Sequence, residues 1–165
     1  MSTIYLSLGS NIGDRPENIA QAINALQKHG VSVTRQSSLY ETEPADVPAE
    51  LKNQKWFVNG VVEAETELQP RELMDLLLAI EHALGRERRV PKGPRTIDID
   101  ILLFNSQVIH EPGVEIPHPR MVLRRFVLAP FAEIAPRVRH PVSGKTIAEL
   151  LAAVPDESEV RRLAG

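Results

Sequence analysis

Two aspartates one residue apart in an apolar run, Ile97-Asp98-Ile99-Asp100-Ile101, are the most chemically pointed feature of this chain. Alternate side chains of a strand share a face. A strand here turns Ile97, Ile99, Ile101 and Leu103 into a core and sends both carboxylates to the other face, with Cα atoms roughly 6–7 Å apart. Carboxylates that close repel each other unless water or cations lie between them. Hard oxygen donors suit Mg²⁺, which keeps several waters and shares its shell with substrate phosphates. Two ions about 3.5–4 Å apart fit the spacing. An edge strand with two hydrated aspartates would look the same from this motif alone.

The preceding segment supplies the complementary charge. Arg86, Arg88, Arg89, Lys92 and Arg95 fall within ten residues against one acid, Glu87. Gly85, Pro91, Gly93 and Pro94 make it a loop, read as one able to move. Arginine forks match phosphate oxygens bidentately. A basic loop running into a paired-carboxylate strand provides both halves of a site for a metal-bound triphosphate. His118, between Pro117 and Pro119, and Arg124 after it are further phosphate donors by type, although a histidine in a proline turn also serves as a backbone partner. Trp56-Phe57-Val58-Asn59 concentrates aromatics in a chain that has only seven. Alternation puts Phe57 and Asn59 on one face, where an aromatic and an amide can stack a flat ring and read its edge; Trp56, on the other face, reads as packing. Gly9-Ser10-Asn11-Ile12-Gly13 lacks the lysine and spacing of a phosphate-binding P-loop. No nucleophile–base pair stands out, which is compatible with phosphoryl transfer because that chemistry rests on positioning and electrostatics.

These residues need a scaffold. Thr3–Leu8 reads as a strand ending in a Gly9-Ser10-Asn11 turn. Asp14 and Glu17 cap a helix with Ile19, Ala22, Ile23 and Leu26 on one face, closed by Gly30. A second strand runs from Val31 to about Tyr40. Residues 43–54 form a long loop, and a third strand spans residues 56–66, with alternating Glu63, Glu65 and Glu67 facing water. Pro70 opens a helix striped by Leu73, Leu76, Leu77, Ile80 and Leu84. The strand Ile97–Phe104 follows the basic loop. Short pieces broken by Pro112, Pro117, Pro119 and Pro130 come next, then a helix capped by Thr146 and Glu149, and a charged tail from Asp156 that is loosely held. The order β-α-β-β-α-β matches the split βαβ pattern of ferredoxin-like folds.

With 165 residues, the chain forms one domain, 1–165, with a core of its own. A net charge of −3 gives no general nucleic-acid footprint. The absence of cysteine excludes disulfides and thiolate metal sites. No signal peptide and no membrane-length apolar run is present, so the expectation is a cytoplasmic protein with small-molecule substrates and neither nucleic acid nor membrane as partner.

The segment Gly-Pro-Arg-Thr-Ile-Asp-Ile-Asp-Ile-Leu-Leu-Phe at 93–104 resembles the signature of the 6-hydroxymethyl-7,8-dihydropterin pyrophosphokinases. Leu8-Gly9-Ser10-Asn11, Tyr40-Glu41-Thr42, Phe57-Val58-Asn59, Gly85-Arg86, Pro117-His118-Pro119 and Glu133-Ile134-Ala135-Pro136 fit in the same order. The resemblance implies a folate-pathway enzyme that transfers the pyrophosphoryl group of ATP to the hydroxymethyl group of a reduced pterin, releasing AMP. It implies a ferredoxin-like α/β sandwich with a mainly antiparallel sheet, acting as a monomer. It also implies that Asp98 and Asp100 hold two Mg²⁺ ions. Arg86, Arg95, His118 and Arg124 would contact nucleotide phosphates, and Arg88 and Arg95 would join the aspartates in catalysis. Glu81 would lie beside the adenosine near Ile101. Asn59 would hydrogen-bond the pterin, Phe57 and Phe126 would sandwich it, and Thr42 and Ala45 would offer backbone contacts to its edge. Lys92 stands where many members carry tryptophan. Three other readings fit an Asp-x-Asp strand on such a sheet: a metal-dependent nucleotidyl transferase, which needs a nucleic-acid track; an RNA-binding module, which needs stacking aromatics where this strand offers carboxylates; and a small structural cation site.

Overall fold

A computed structural model describes residues 1–43, 56–85 and 96–163. Its centre is one antiparallel sheet. β1 (Ser2–Ser10) pairs with β4 (Phe57–Thr66) on one side and β5 (Asp98–Phe104) on the other. β2 (Val31–Gln36) and β3 (Tyr40–Thr42) share the far edge of β4, and β8 (Val160–Arg162) pairs with β3. β6 (Ile109–Glu111) and β7 (Val114–Ile116) form a separate hairpin. The helices α1 (Arg15–Lys28) and α2 (Pro70–Ala83) cover one face, burying Ile19, Leu26, Leu73 and Leu77 against Leu6, Leu8, Val62 and Ile99. The helices α3 (Arg125–Ile134) and α4 (Ile147–Ala153) cover part of the other, where Val127, Leu128 and Phe131 pack on Tyr5, Val61 and Leu103. The strand order β5-β1-β4-β2 with α1 and α2 on one face is the ferredoxin-like arrangement expected.

Local signals set the helix starts. The Asp14 carboxylate accepts the Glu17 N–H at 3.2 Å, Glu72 reaches back to the Gln69 N–H at 2.8 Å, and Thr146 and Glu149 cap each other reciprocally.

Several expectations are corrected. Gly9 and Ser10 lie inside β1, paired with Asn59 and Val58, and not in a turn. The second strand is broken at Ser37–Leu39 into β2 and β3, with the Ser37 hydroxyl accepting the Val61 N–H at 3.0 Å in the gap. Residues 125–134 form a helix although Pro130 lies within it. Burial of Val127, Leu128, Phe131 and Ile134 outweighs the hydrogen bond that proline cannot donate. The tail is held: Arg161 pairs with Glu41 at 3.0 Å and lies over the Trp56 ring at 4.8 Å, and Arg162 meets Glu133 at 3.2 Å. Glu63 is half-buried and accepts the Tyr5 hydroxyl at 2.6 Å, whereas Glu65 and Glu67 do face water. Finally, Leu103 does not share the face of Ile97, Ile99 and Ile101. Tyr5 faces Leu103 while Leu6 faces Ile101, so Leu102 is an extra residue in β5. This bulge turns Leu103 into the α3–α4 core.

Candidate active site

Among the described residues, α3 and α4 cover only part of their face of the sheet. Beyond Tyr5, Val61 and Leu103 the same face continues into Ser7 and Gly9 on β1, Phe57 and Asn59 on β4, Thr42 on β3, and Asp98 and Asp100 on β5, because directly paired antiparallel residues share a face. Gly9 pairs with Asn59 on one side and Asp98 on the other. Asn59 and Asp98 therefore stand two strand spacings apart, roughly 9–10 Å, with a side-chain-less position between them. The result is a trough with an amide on one wall and carboxylates on the other.

The bulge in β5 positions a third group. The Leu102 carbonyl accepts the His118 N–H at 3.1 Å, docking the segment after β7, which contains a cis Ile116–Pro117 bond, onto β5. This brings His118 Nε2 to 3.9 Å from Asp100 Oδ2. On the other side of the ring, His118 Nδ1 accepts the Arg120 N–H at 3.1 Å. A neutral imidazole whose Nδ1 accepts carries its proton on Nε2, so the group aimed at the carboxylates is a donor. Burial and then the charge of Arg124 push its pKa down to about 4, against the opposing pull of Asp98. His118 is thus a neutral Nε2–H donor at neutral pH.

Arg124, the N-cap residue of α3, reaches this side of the trough with its guanidinium 5.5 Å from the centre of the Phe126 ring. Stacking of that kind keeps the two side chains together. Thr42, buried, accepts the Asn59 side-chain N–H on Oγ1 at 2.7 Å.

The sequence profile of the 7,8-dihydro-6-hydroxymethylpterin-pyrophosphokinase (HPPK) family matches residues 5–136. A Bacillus subtilis 2-amino-4-hydroxy-6-hydroxymethyldihydropteridine pyrophosphokinase is 50% identical over 135 residues, covering 81% of this chain and 78% of the relative. The enzyme of that name from Pseudomonas aeruginosa is 42% identical over 163 residues, covering 98% and 97%. This chain belongs to the HPPK family. The crystal structure of wild-type Plasmodium falciparum HPPK-DHPS superposes with a TM-score of 0.71 at 17% identity, over 92% of this chain and 44% of that longer one, a likeness of fold. The reading as a different Asp-x-Asp nucleotidyl transferase finds no support in these relatives.

Of the residues singled out for this HPPK, Asp98, Asp100, His118 and Arg124 come together at one side of the trough, Thr42, Phe57 and Asn59 at the other, and Phe126 lies beside Arg124. Ala45, Arg86, Arg88 and Arg95 lie outside the described residues. Ile101 is buried in the α1–α2 core, so what it can offer a nucleotide is backbone. Glu81 is buried too, and its carboxylate accepts the Ile99 N–H at 2.7 Å. It thereby ties α2 to the strand between the two aspartates. Gly9 was missed as a site residue. A glycine inside a strand signals close approach of another group, but only the pairing of β1 with β4 and β5 puts Gly9 inside a strand.

Proposed function

We propose that the trough is where this HPPK carries ATP and the reduced pterin during pyrophosphoryl transfer, with phosphates at the Asp98–Asp100 side and the flat ring at the Asn59 side. The observation that carries this is the register Asn59–Gly9–Asp98 across three adjacent strands. It sets the backbones that carry a ring-reading amide and a phosphate-side carboxylate about 9–10 Å apart on one sheet face. Release of AMP requires the substrate oxygen to bond to the β-phosphorus of ATP while the bond from that phosphorus to the oxygen bridging to the α-phosphate breaks.

The residues divide this work by chemistry. His118 donates Nε2–H, and Arg124 its fork, to phosphate oxygens. Asn59 hydrogen-bonds the ring edge, and Phe57 and Phe126 offer aromatic faces. Arg86, Arg88 and Arg95 bring further positive charge to the phosphates, and Thr42 and Ala45 backbone contacts to the pterin. Asp98 and Asp100 fit Mg²⁺ in kind: hard oxygen donors on one strand face, both partly open to the trough. Among the described residues, no group of three His, Cys, Asp or Glu side chains could hold a metal by itself. Two ions held there would complete their shells with water and ATP oxygens, as Mg²⁺ commonly does. Bound Mg²⁺ offsets the charge that develops on the phosphates. In this reading the enzyme works as a monomer in the cytoplasm; no helix among the described residues is long and apolar enough to cross a membrane.

The test is a set of variants read by turnover and by the affinities of two ligands. Asp98→Ala or Asp100→Ala should abolish turnover and leave the protein folded. Asn59→Ala should weaken the pterin by ~1–3 kcal/mol and leave ATP affinity nearly unchanged. Near-normal activity of either aspartate variant at millimolar Mg²⁺, or equal loss of both ligands in Asn59→Ala, would refute the assignment.

A further inference from the structure

Asn59 is 7% exposed and Thr42 1%. The Asn59 amide is held between two strands: its Nδ2–H donates to Thr42 Oγ1 at 2.7 Å on the β3 side, and its Oδ1 lies over Gly9 on the β1 side. A methyl group at Gly9 would overlap that Oδ1 and would also sit 3.5 Å from Asn59 Cγ and 3.6 Å from Phe57 Cδ1. An amide carries two N–H donors at one end and an acceptor at the other, and it can present either end by a half-turn about its last bond. The Thr42 hydroxyl is donor and acceptor alike and can meet either end, so what it sets is the place of the amide. The hydroxyl accepts Nδ2–H in the arrangement seen, and the missing side chain at Gly9 leaves the space that Oδ1 occupies. The amide is thus held in one place between β3 and β1.

We infer that the Thr42 side chain and Gly9 are positioning residues that hold the Asn59 amide where it meets the edge of a flat ring. This rests on the reading that Asn59 hydrogen-bonds the ring, and it adds a side-chain role to the backbone contact expected of Thr42. A lactam or amidine edge, an acceptor beside a donor, is one that an amide held there can pair with. An amide shifted from that place would leave buried polar groups without partners.

The experiment is calorimetric titration of the reduced pterin, with an unhydrolysable ATP analogue present, into Thr42→Val, Thr42→Ser and Gly9→Ala, each in the parent and in Asn59→Ala. Affinity for the ATP analogue and thermal unfolding are measured in parallel. Thr42→Val keeps the shape and removes the hydroxyl; it should lose about 10-fold in pterin affinity, as loss of one orienting hydrogen bond does. Thr42→Ser should stay within about twofold of the parent because it restores the acceptor. Gly9→Ala should lose at least as much as Thr42→Val. Affinity for the ATP analogue should hold in all three, and in Asn59→Ala both Thr42→Val and Gly9→Ala should cost nothing further. Parental pterin affinity in Thr42→Val, failure of serine to rescue, or an undiminished further loss in the Asn59→Ala background overturns the inference while leaving the ring-reading role in place. Parental affinity in Asn59→Ala alone overturns that role and the inference with it. Should Gly9→Ala not fold, the Thr42 pair decides.

Discussion

The N-terminus of α3 offers a sharp test of how the structure holds Arg124 and Phe126. Arg124 occupies the N-cap and has no side-chain acceptor for the first turn. The cap comes from far along the chain: Asp156 Oδ2 accepts the Arg125 N–H at 3.0 Å, and Oδ1 accepts the Ser158 N–H at 2.8 Å. A carboxylate there also meets the positive end of the helix dipole. Replacing an N-cap acceptor by alanine costs ~0.5–2 kcal/mol. With the Ser158 turn bond lost as well, Asp156→Ala should cost about 1–2 kcal/mol. For a chain of this size, that lowers Tm by roughly 2–8 °C. Asp156→Asn keeps an acceptor and gives up the charge, so it should fall between. The pH dependence has a definite sign. Burial pushes the Asp156 carboxyl up, but hydrogen bonds from Ser158 and the Arg125 N–H, with the Arg125 charge, bring it below its usual range. A depressed carboxyl contributes its stability above the unfolded pKa, about 3.9, and loses it as pH falls through the folded value. Urea unfolding of parent and Asp156→Ala should therefore show the full gap at pH 7 and a shrinking gap below about pH 4. A variant within ~0.3 kcal/mol of the parent at pH 7, where the cap should count for at least 0.5, or a gap unchanged in acid, would refute the reasoning.

Two further outcomes are expected. Tyr5→Phe keeps the ring packed 4.9 Å from Phe131 and removes the hydroxyl that donates to Glu63; unfolding free energy should fall by ~1–2 kcal/mol while steady-state turnover stays at the parental value, and a variant as stable as the parent would show that the hydrogen bond carries nothing. Arg95 stands three residues before Asp98 and Arg88 ten before it; Arg95→Ala should weaken ATP binding and turnover together, Arg88→Ala turnover with little change in ATP affinity, and single-turnover rates with ATP dissociation constants giving matching profiles for the two would contradict that division.

Local order was legible in the chain because local physics sets it. Asp98 and Asp100 share a face because strand side chains alternate. Asp14, Thr146 and the Pro70 turn start helices through contacts only a few residues long. The run at 93–104 was long enough to point to the family that the relatives establish. What the sequence did not disclose depends on groups far apart in it. The extra residue at Leu102 hides in an unbroken apolar run, where alternation gives no warning, yet it turns Leu103 inward and presents the carbonyl that seats His118 beside Asp100. The tail looked loosely held because its charges have no partners nearby in sequence; Glu41, Glu133 and the start of α3 become partners only once β3 and α3 are in place. Pro130 argued against a helix that packing on Tyr5 and Val61 makes worthwhile. Gly9 looked like a turn until pairing set Asn59 on one side of it and Asp98 on the other. Periodicity fixes which way a side chain points from its own strand, but only strand pairing decides what it points at, since that is settled by hydrogen bonds and burial summed over the whole sheet.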